Sequence, residues 1–416
     1  MLEDLRWPTY PTRGVVLDAA VPDEARGGGA LRVRDIDGNV YLDAVAGIGC
    51  GPLGHSHPLW CEAVARQLTR MTAASNTFNT VPQLQLVARL IDLFPVTDAR
   101  AFLCSTGTEA TEAAIKLALR ATGRDTIVAC ERAFHGRTLG ALSLTANPDY
   151  RAPYITCPGE PVEKPSFVQA RALRFPYNDL DAARAIFERE GSRIAAVFVE
   201  PIQGEAGVFP ATREFLVGLR RLCDEHGALL GADEVQSGVG RTGHWAAWTT
   251  IVGDDPALRP DLLWLAKALG GGMAIGACLA RAPLAAAMVR GSHGTTFGGN
   301  PLAATAAVAT LRILEEEGLL AKASAQLPIL RELAQETPIR EVTALRGHGA
   351  MIGVQIGEAS DRQAASVGDA MMDRGVLVTV CGGHTVRLLL PYHAGREELA
   401  QIWRTLADCL REGEAA

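Results

Sequence analysis

Asp261-Leu-Leu-Trp-Leu-Ala-Lys267-Ala-Leu-Gly270-Gly271-Gly272 joins a short apolar run to a single lysine and three glycines. Pro260 precedes the run and the glycines close it, which leaves room for a buried strand; a helix would need about ten residues or more. Lys267 then stands at a strand end, beside apolar sequence that partly desolvates its ammonium. Desolvation lowers the pKa and frees an amine able to form a Schiff base with a carbonyl compound. Any one lysine in a globular chain is more often simply solvated, but elimination narrows the choice. Only Lys116, Lys164, Lys267 and Lys322 are present. Lys116 falls in an amphipathic helix, Lys164 in a Pro-rich polar loop and Lys322 in a charged helical region. If the protein does amine chemistry through a lysine, Lys267 is the one.

Outward from this strand, Ile194-Ala-Ala-Val-Phe-Val199 is a continuous apolar run of the kind buried on both faces of a parallel sheet, and it ends in Glu200. An amphipathic helix over 212–226 separates it from a second run that closes on Asp233. This is a βαβ unit, so the two strands run parallel with a right-handed crossover. Asp233 is thereby put at a carboxyl end of the sheet, where open α/β folds bind ligands. An acid there is a poor packing residue, because burying it unpaired is costly. Glu200, Asp233 and Lys267 follow one another at intervals of 33 and 34 residues, the repeat of a βαβ sheet, and so line one edge.

Earlier in the chain, a strand over 102–104 leads through Ser105-Thr106-Gly107-Thr108-Glu109 into a helix over 110–120. Thr106 and Glu109 have capping-box spacing. The free N–H groups of such a helix start suit a phosphate, although a capped helix alone explains the motif equally well. A strand over 126–130 precedes Phe134-His135-Gly136-Arg137-Thr138, where the aromatic is a packing residue or a ring contact and the arginine a solvated or a binding one. Gly238-Val-Gly240-Arg-Thr-Gly243 matches the dinucleotide-binding pattern, but no helix opens after it, so a glycine-rich turn is the better reading. His55 and His57 lack a supporting acid or cysteine cluster and read as a structural loop.

The remaining sequence frames these motifs. Leu31–Asp43 alternates about an Asp37-Gly38 turn and predicts a hairpin; a strand over 276–280 and an Ala-rich helix from Pro301 follow the lysine. The tail then alternates charged helices with short strands, one of which carries Arg387, an outward-facing residue if the strand is read by itself. The expected organisation is an N-terminal arm and hairpin (1–52) packing with the small domain, a large α/β domain (53–301) with a mostly parallel sheet covered by helices on both faces, and a small α+β domain (302–416). No tract of 18 apolar residues predicts a membrane span, and the N-terminus lacks signal-peptide character. Nine scattered cysteines without a Cys-x-x-Cys pair fit reduced thiols in a cytoplasmic protein. A formal net charge of −7 argues against nucleic acid as a partner.

A lysine amine, a carboxylate, a phosphate-binding turn and an aromatic along one crevice describe a site for pyridoxal 5′-phosphate. Lys267 would hold the aldehyde and Asp233 the pyridine nitrogen, while Gly107 and Thr108 bind the phosphate, Phe134 stacks on the ring and Glu200, on the same edge, joins the cofactor-binding set. The chain resembles the class III (ω-amino acid) aminotransferases of the fold type I pyridoxal-phosphate enzymes. Ser105–Ala110, Phe134–Thr138, Glu200–Glu205, Asp233–Gln236, Lys267–Gly272 and His293–Pro301 carry the resemblance, in order and over nearly the whole chain. Within the class it is similar to acetylornithine and carrier-linked aminoadipate-semialdehyde aminotransferases. The resemblance implies that Gln236 contacts the ring hydroxyl and that Thr296 reaches the phosphate of the neighbouring subunit in a homodimer with shared active sites. It also implies that Arg137 and Arg387 bind substrate carboxylates, with Glu205 as a gate pairing with Arg387. Thr106 stands where many relatives have serine, a change its backbone contacts to the cofactor should survive. The implied reaction transfers an amino group between an ω-amino donor and the 2-oxoglutarate/glutamate pair. Alternatives are a 4-aminobutyrate-type transaminase, an aminomutase or racemase, and a catalytically dead binding protein.

Overall fold

The computed structural model describes residues 7, 9, 12–23, 27–151, 154, 171–357 and 364–411; Lys164 lies outside them. Seven strands form the central sheet: β1 (Ala99–Cys104), β2 (Thr126–Cys130), β3 (Arg171–Phe175), β4 (Ile194–Val199), β5 (Leu229–Asp233), β6 (Leu262–Leu265) and β7 (Gly276–Arg281). Their spatial order is β1-β7-β6-β5-β4-β2-β3. The five strands from β6 across to β3 are parallel. β7 is antiparallel to both β6 and β1, which returns β1 to the common direction. The sheet is thus mostly parallel, as expected.

The unbroken apolar runs are explained by what covers each face. Val128, Val197, Val199, Leu230, Leu263 and Leu265 enter one core, and their strand neighbours Ile127, Ala196, Phe198, Leu229, Leu262 and Trp264 enter another. With a side-chain period of two, a strand covered on both sides must be apolar at every position. Helix α1 (Gly107–Thr122) covers one face with Ala110, Ala113, Ala114 and Leu117. Helices α2 (Arg213–His226) and α3 (Pro301–Glu316) cover the other with Phe215, Leu219, Ala304 and Leu311. Leu262, Leu263 and Leu265 have no exposed surface. At about 1.5–3 kcal/mol for each fully buried leucine, they anchor β6 and with it the start of Lys267.

The C-terminal part has its own antiparallel sheet, β8 (Val342–His348), β9 (Met351–Ile356), β10 (Thr379–Cys381) and β11 (Thr385–Leu388), ordered β8-β9-β11-β10. Ile352, Val354, Val386 and Leu388 pack there against Ile402, Trp403 and Leu406. The expected N-terminal hairpin pairs Arg32–Asp35 with Val40–Asp43. Its turn is held by the Asp35 carboxylate, which accepts the N–H groups of Asp37 and Asn39, and Gly38 takes a φ of 90°. Leu31, Leu42 and Ala44 belong to the C-terminal core, so the two ends of the chain fold together.

Two motifs weighed on sequence have structural uses. The Gly238–Gly243 segment is a set of turns around a buried arginine. Arg241 donates to the carbonyls of Gly49, Ala350 and Leu390 and lies 4.6 Å from the Tyr392 ring centre, stapling three distant segments. His55 lies 2.8 Å from Asp43, and His57 lies 3.1 Å from Glu317.

Candidate active site

A cavity of about 430 Å³ opens at the carboxyl edge of the central sheet. Strand ends supply its wall: Ser105–Thr108 after β1, Phe134–Arg137 after β2, Glu200 and Glu205 after β4, Asp233 and Gln236 at the end of β5, and Lys267 after β6. The register explains the convergence of the three groups spaced by the βαβ repeat. Ala232 pairs with Val199 and Asp233 with Trp264, so Glu200 comes level with Asp233, and Lys267 follows three residues beyond that level on the next strand.

Lys267 adopts a φ of 34°, in the left-handed region that a residue with a Cβ rarely enters. A side chain held in this way has its direction imposed by its surroundings. One side of it faces the cavity while protein atoms enclose the rest. Burial lowers its pKa below the ordinary lysine value; the Glu205 carboxylate opposes the shift and the Arg387 guanidinium reinforces it. The desolvation argued from sequence therefore operates, in a pocket that also keeps charges near the amine.

Asp233 is held from two sides. Its Oδ1 accepts the Val235 N–H at 3.0 Å and its Oδ2 lies 2.7 Å from His135 Nδ1. A carboxylate accepts only, so His135 Nδ1 is the donor. The other ring nitrogen has no hydrogen-bond partner among the described residues, and the ring packs against Phe198 and Trp264. Glu200 accepts the Phe134 N–H at 2.9 Å. Burial, and then the neighbouring Asp233, push its pKa well above the ordinary glutamate value.

At the other end of the cavity, the capping box expected from Thr106 and Glu109 is formed. Thr106 Oγ1 accepts the Glu109 N–H at 3.3 Å, and Glu109 Oε2 accepts those of Ser105 at 2.7 Å and Thr106 at 3.0 Å. Among the described residues no hydrogen bond engages the N–H groups of Gly107 and Thr108. The backbone here is approached too closely for side chains: a Cβ on Gly107 would come 2.7 Å from Val235 Cγ1. A helix start with free donors and a glycine at the close approach makes a cradle for a phosphate.

Arg387, from β11, is not itself in the cavity wall but backs two of the residues that are, Glu205 and Gln236. Its Nη1 donates to Glu205 Oε1 at 2.6 Å and to Gln236 Oε1 at 3.2 Å, and Gln236 Nε2 lies 3.4 Å from Glu205 Oε1. Only 3% of the Arg387 side chain is exposed, so it is not the outward-facing strand residue that sequence alone allowed. Burial works to raise the Glu205 pKa, but the Arg387 guanidinium, with Lys267 and Gln236, holds it below the ordinary value. Arg137 stacks over Tyr150, with its Cζ 3.4 Å from the ring centre, and stands 5.6 Å from that of Phe134. Thr296 is not in this cavity. It lies in a separate depression with Ala73–Thr77, Arg290 and Asn300. Sequence reasoning passed over His135 and Tyr150. The first stands inside a quoted motif, but nothing in the motif points to Asp233, which is 98 residues away.

The donor set fits pyridoxal phosphate: an enclosed amine, a fixed carboxylate, and a helix-start cradle for the phosphate, all on one edge. Fold and site together define a fold type I pyridoxal-phosphate-dependent transferase. The class-III aminotransferase family matches residues 15–410. The acetylornithine aminotransferase of Corynebacterium efficiens is 40% identical over 397 residues, covering 94% of this chain and 93% of that one. That of Methanopyrus kandleri is 42% identical over 384 residues, covering 92% and 93%. Among solved structures, an ornithine aminotransferase from Toxoplasma gondii with partial occupancy of pyridoxal phosphate at its active site superposes with a TM-score of 0.84. It shares 28% identity and covers 98% of this chain and 92% of its own. The chain belongs to the class-III aminotransferases and is a pyridoxal-phosphate-dependent aminotransferase. No helix of the described residues is long and apolar enough to cross a membrane.

Proposed function

We propose that the chain moves amino groups, in two alternating half-reactions, between an ω-amino donor of the acetylornithine or carrier-linked lysine/ornithine type and the 2-oxoglutarate/glutamate pair. The supporting observation is the 2.6 Å contact of Arg387 with Glu205, which lines the same cavity as Lys267. An ω-amino donor brings its reacting amine far from any carboxylate, whereas glutamate brings an α-carboxylate beside the reacting carbon. An arginine suits the second, and an acid that masks it suits the first. The curated relatives at 40% and 42% identity, both acetylornithine aminotransferases, favour that donor class. A panel of ω-amines assayed with 2-oxoglutarate for glutamate formation tests the proposal. Preference for 4-aminobutyrate over acetylornithine-like amines would overturn it.

In this reading Lys267 holds the aldehyde end of the cofactor and Asp233 the ring nitrogen. Phe134 stacks on the ring, Gln236 meets its hydroxyl, and the Ser105–Thr108 turn takes the phosphate. The cofactor supplies a positively charged ring that withdraws electrons from the substrate carbon. The Lys267 amine, freed when the substrate amine takes its place, would be the base that takes and gives the proton at the substrate carbon. Arg137 and Arg387 hold carboxylates, and Glu205 covers Arg387 when the donor is bound. Glu205→Ala should leave the glutamate half-reaction nearly intact and slow the donor half-reaction. Arg387→Ala should chiefly harm glutamate, by about 2–5 kcal/mol when the carboxylate loses its charged partner. Single-turnover rates decide the matter: equal losses in both halves for both variants would make the pair purely structural.

The same proposal takes the protein as a homodimer whose sites are shared through Thr296. The segments around its depression are tied together, with Asn76 Nδ2 donating to the carbonyls of Thr295 at 3.0 Å and Gly298 at 3.1 Å. They carry Phe78 at 71% exposure and Phe297 at 68%, an apolar surface that suits a second copy. Thr296→Ala should weaken cofactor binding. Mixing Lys267→Ala and Thr296→Ala protomers should give hybrid dimers with one intact site and activity above either parent. No recovery in verified heterodimers would place each site within one chain. We also take residues 53–301 as the cofactor domain and 302–416 as the small domain with 1–52 packed on it. The separate cores support this division, although α3 lends its apolar face to the larger one.

A further inference from the structure

We infer that Glu112, Thr138 and Thr108 form a brace that fixes the loop carrying Phe134 and Arg137 over the start of α1, and that the Thr108 hydroxyl serves this brace and gives no hydrogen bond to phosphate. The inference rests on the assignment of the cavity to pyridoxal phosphate.

Counting protons leads to it. Glu112 Oε1 accepts the N–H groups of Gly140 at 2.9 Å and Ala141 at 3.2 Å, and the hydroxyl of Thr138 at 2.6 Å. Thr138 Oγ1 also lies 2.8 Å from Thr108 Oγ1. A hydroxyl has one proton, and Thr138 gives its own to the carboxylate. Thr108 must therefore be the donor between the two threonines. The Thr108 oxygen in turn faces the Thr138 N–H at 3.3 Å. Its donor is committed, and the loop lies against it: a Cβ on Gly136, at φ 136°, would fall 2.3 Å from Thr108 Oγ1 and 2.9 Å from Ala141 Cβ. Only glycine permits that approach. From Thr108, phosphate is left with the backbone N–H. Glu112, outside the cavity wall, becomes a positioning residue that acts through two hydroxyls on the separation between the phosphate cradle and the ring-stacking aromatic.

A brace shapes the seat of the ring, so its loss should weaken pyridoxal and pyridoxal phosphate alike, whereas a direct phosphate contact matters only to the second. Dissociation constants of both compounds are measured on apoprotein carrying Thr108→Val, Thr138→Val or both, after thermal unfolding has shown that each variant is folded. The expected result is a loss on the order of 10-fold for each single variant and for both compounds, the scale of one hydrogen bond. The double variant should be no weaker than the worse single one, because both remove the same link, and Thr108→Ser and Thr138→Ser should regain wild-type affinity. A Thr108→Val loss confined to pyridoxal phosphate, or single losses that multiply in the double variant, would overturn the brace. Failure of the cofactor assignment would look different: wild-type apoprotein would take up neither compound.

Discussion

Lys267→Ala eliminates transamination, with a loss on the order of 10⁴-fold or more in both half-reactions, because one amine both holds the cofactor and moves the substrate proton. Among the described residues no other lysine can replace it. Lys116 is occupied elsewhere, donating to the Ser292 carbonyl at 2.6 Å and meeting His293 at 3.1 Å, and neither it nor Lys322 lines the cavity. The wild-type protein should be yellow with bound cofactor, and its borohydride-reduced form should carry the label on Lys267 alone. Single-turnover rates with glutamate and with an ω-amine give the size of the loss. A variant within about 100-fold of wild type would remove Lys267 from the chemistry.

Asp233→Ala should still bind cofactor but transaminate about 10²–10³-fold more slowly or worse, the scale for one preorganised electrostatic contact. A carboxylate against the ring nitrogen keeps that nitrogen protonated, and the protonated ring is the one that stabilises the carbanion. Asp233 is prepared for this by its Val235 and His135 donors, which leave it little freedom to turn. The substitution also strips the buried His135 Nδ1–H of its acceptor, so part of the loss should appear as lower thermal stability and must be measured separately. Near-normal turnover would show that another acid faces the ring, and Glu200 is the neighbour to test.

The sheet was readable because strands buried on both faces are apolar at every position and recur at the βαβ interval. That interval alone brought Glu200, Asp233 and Lys267 to one edge. The reversal of β7 was not readable, since a strand such as Gly276–Arg281 looks the same in either direction. Contacts across long separations were also hidden. His135 meets Asp233 and Arg241 staples Gly49 to Leu390, yet residue type at either end is compatible with many partners. Arg387 is the sharper case. Alternation within its strand allowed an outward face, and only the packing of β11 against the large unit turns it toward Glu205.

The φ of 34° at Lys267 bears on how this chain persists over generations. A left-handed residue with a Cβ is held at an expense of about 1–3 kcal/mol, and a desolvated ammonium adds to it. Folding alone would favour glycine at this position, which relaxes the turn and removes the charge. A lineage freed from the reaction would therefore be expected to drift away from lysine here early, since the first steps carry no penalty and improve stability. A lysine held in this strained turn is what a chain kept for its chemistry is expected to retain, which weighs against descent into a mere binding protein.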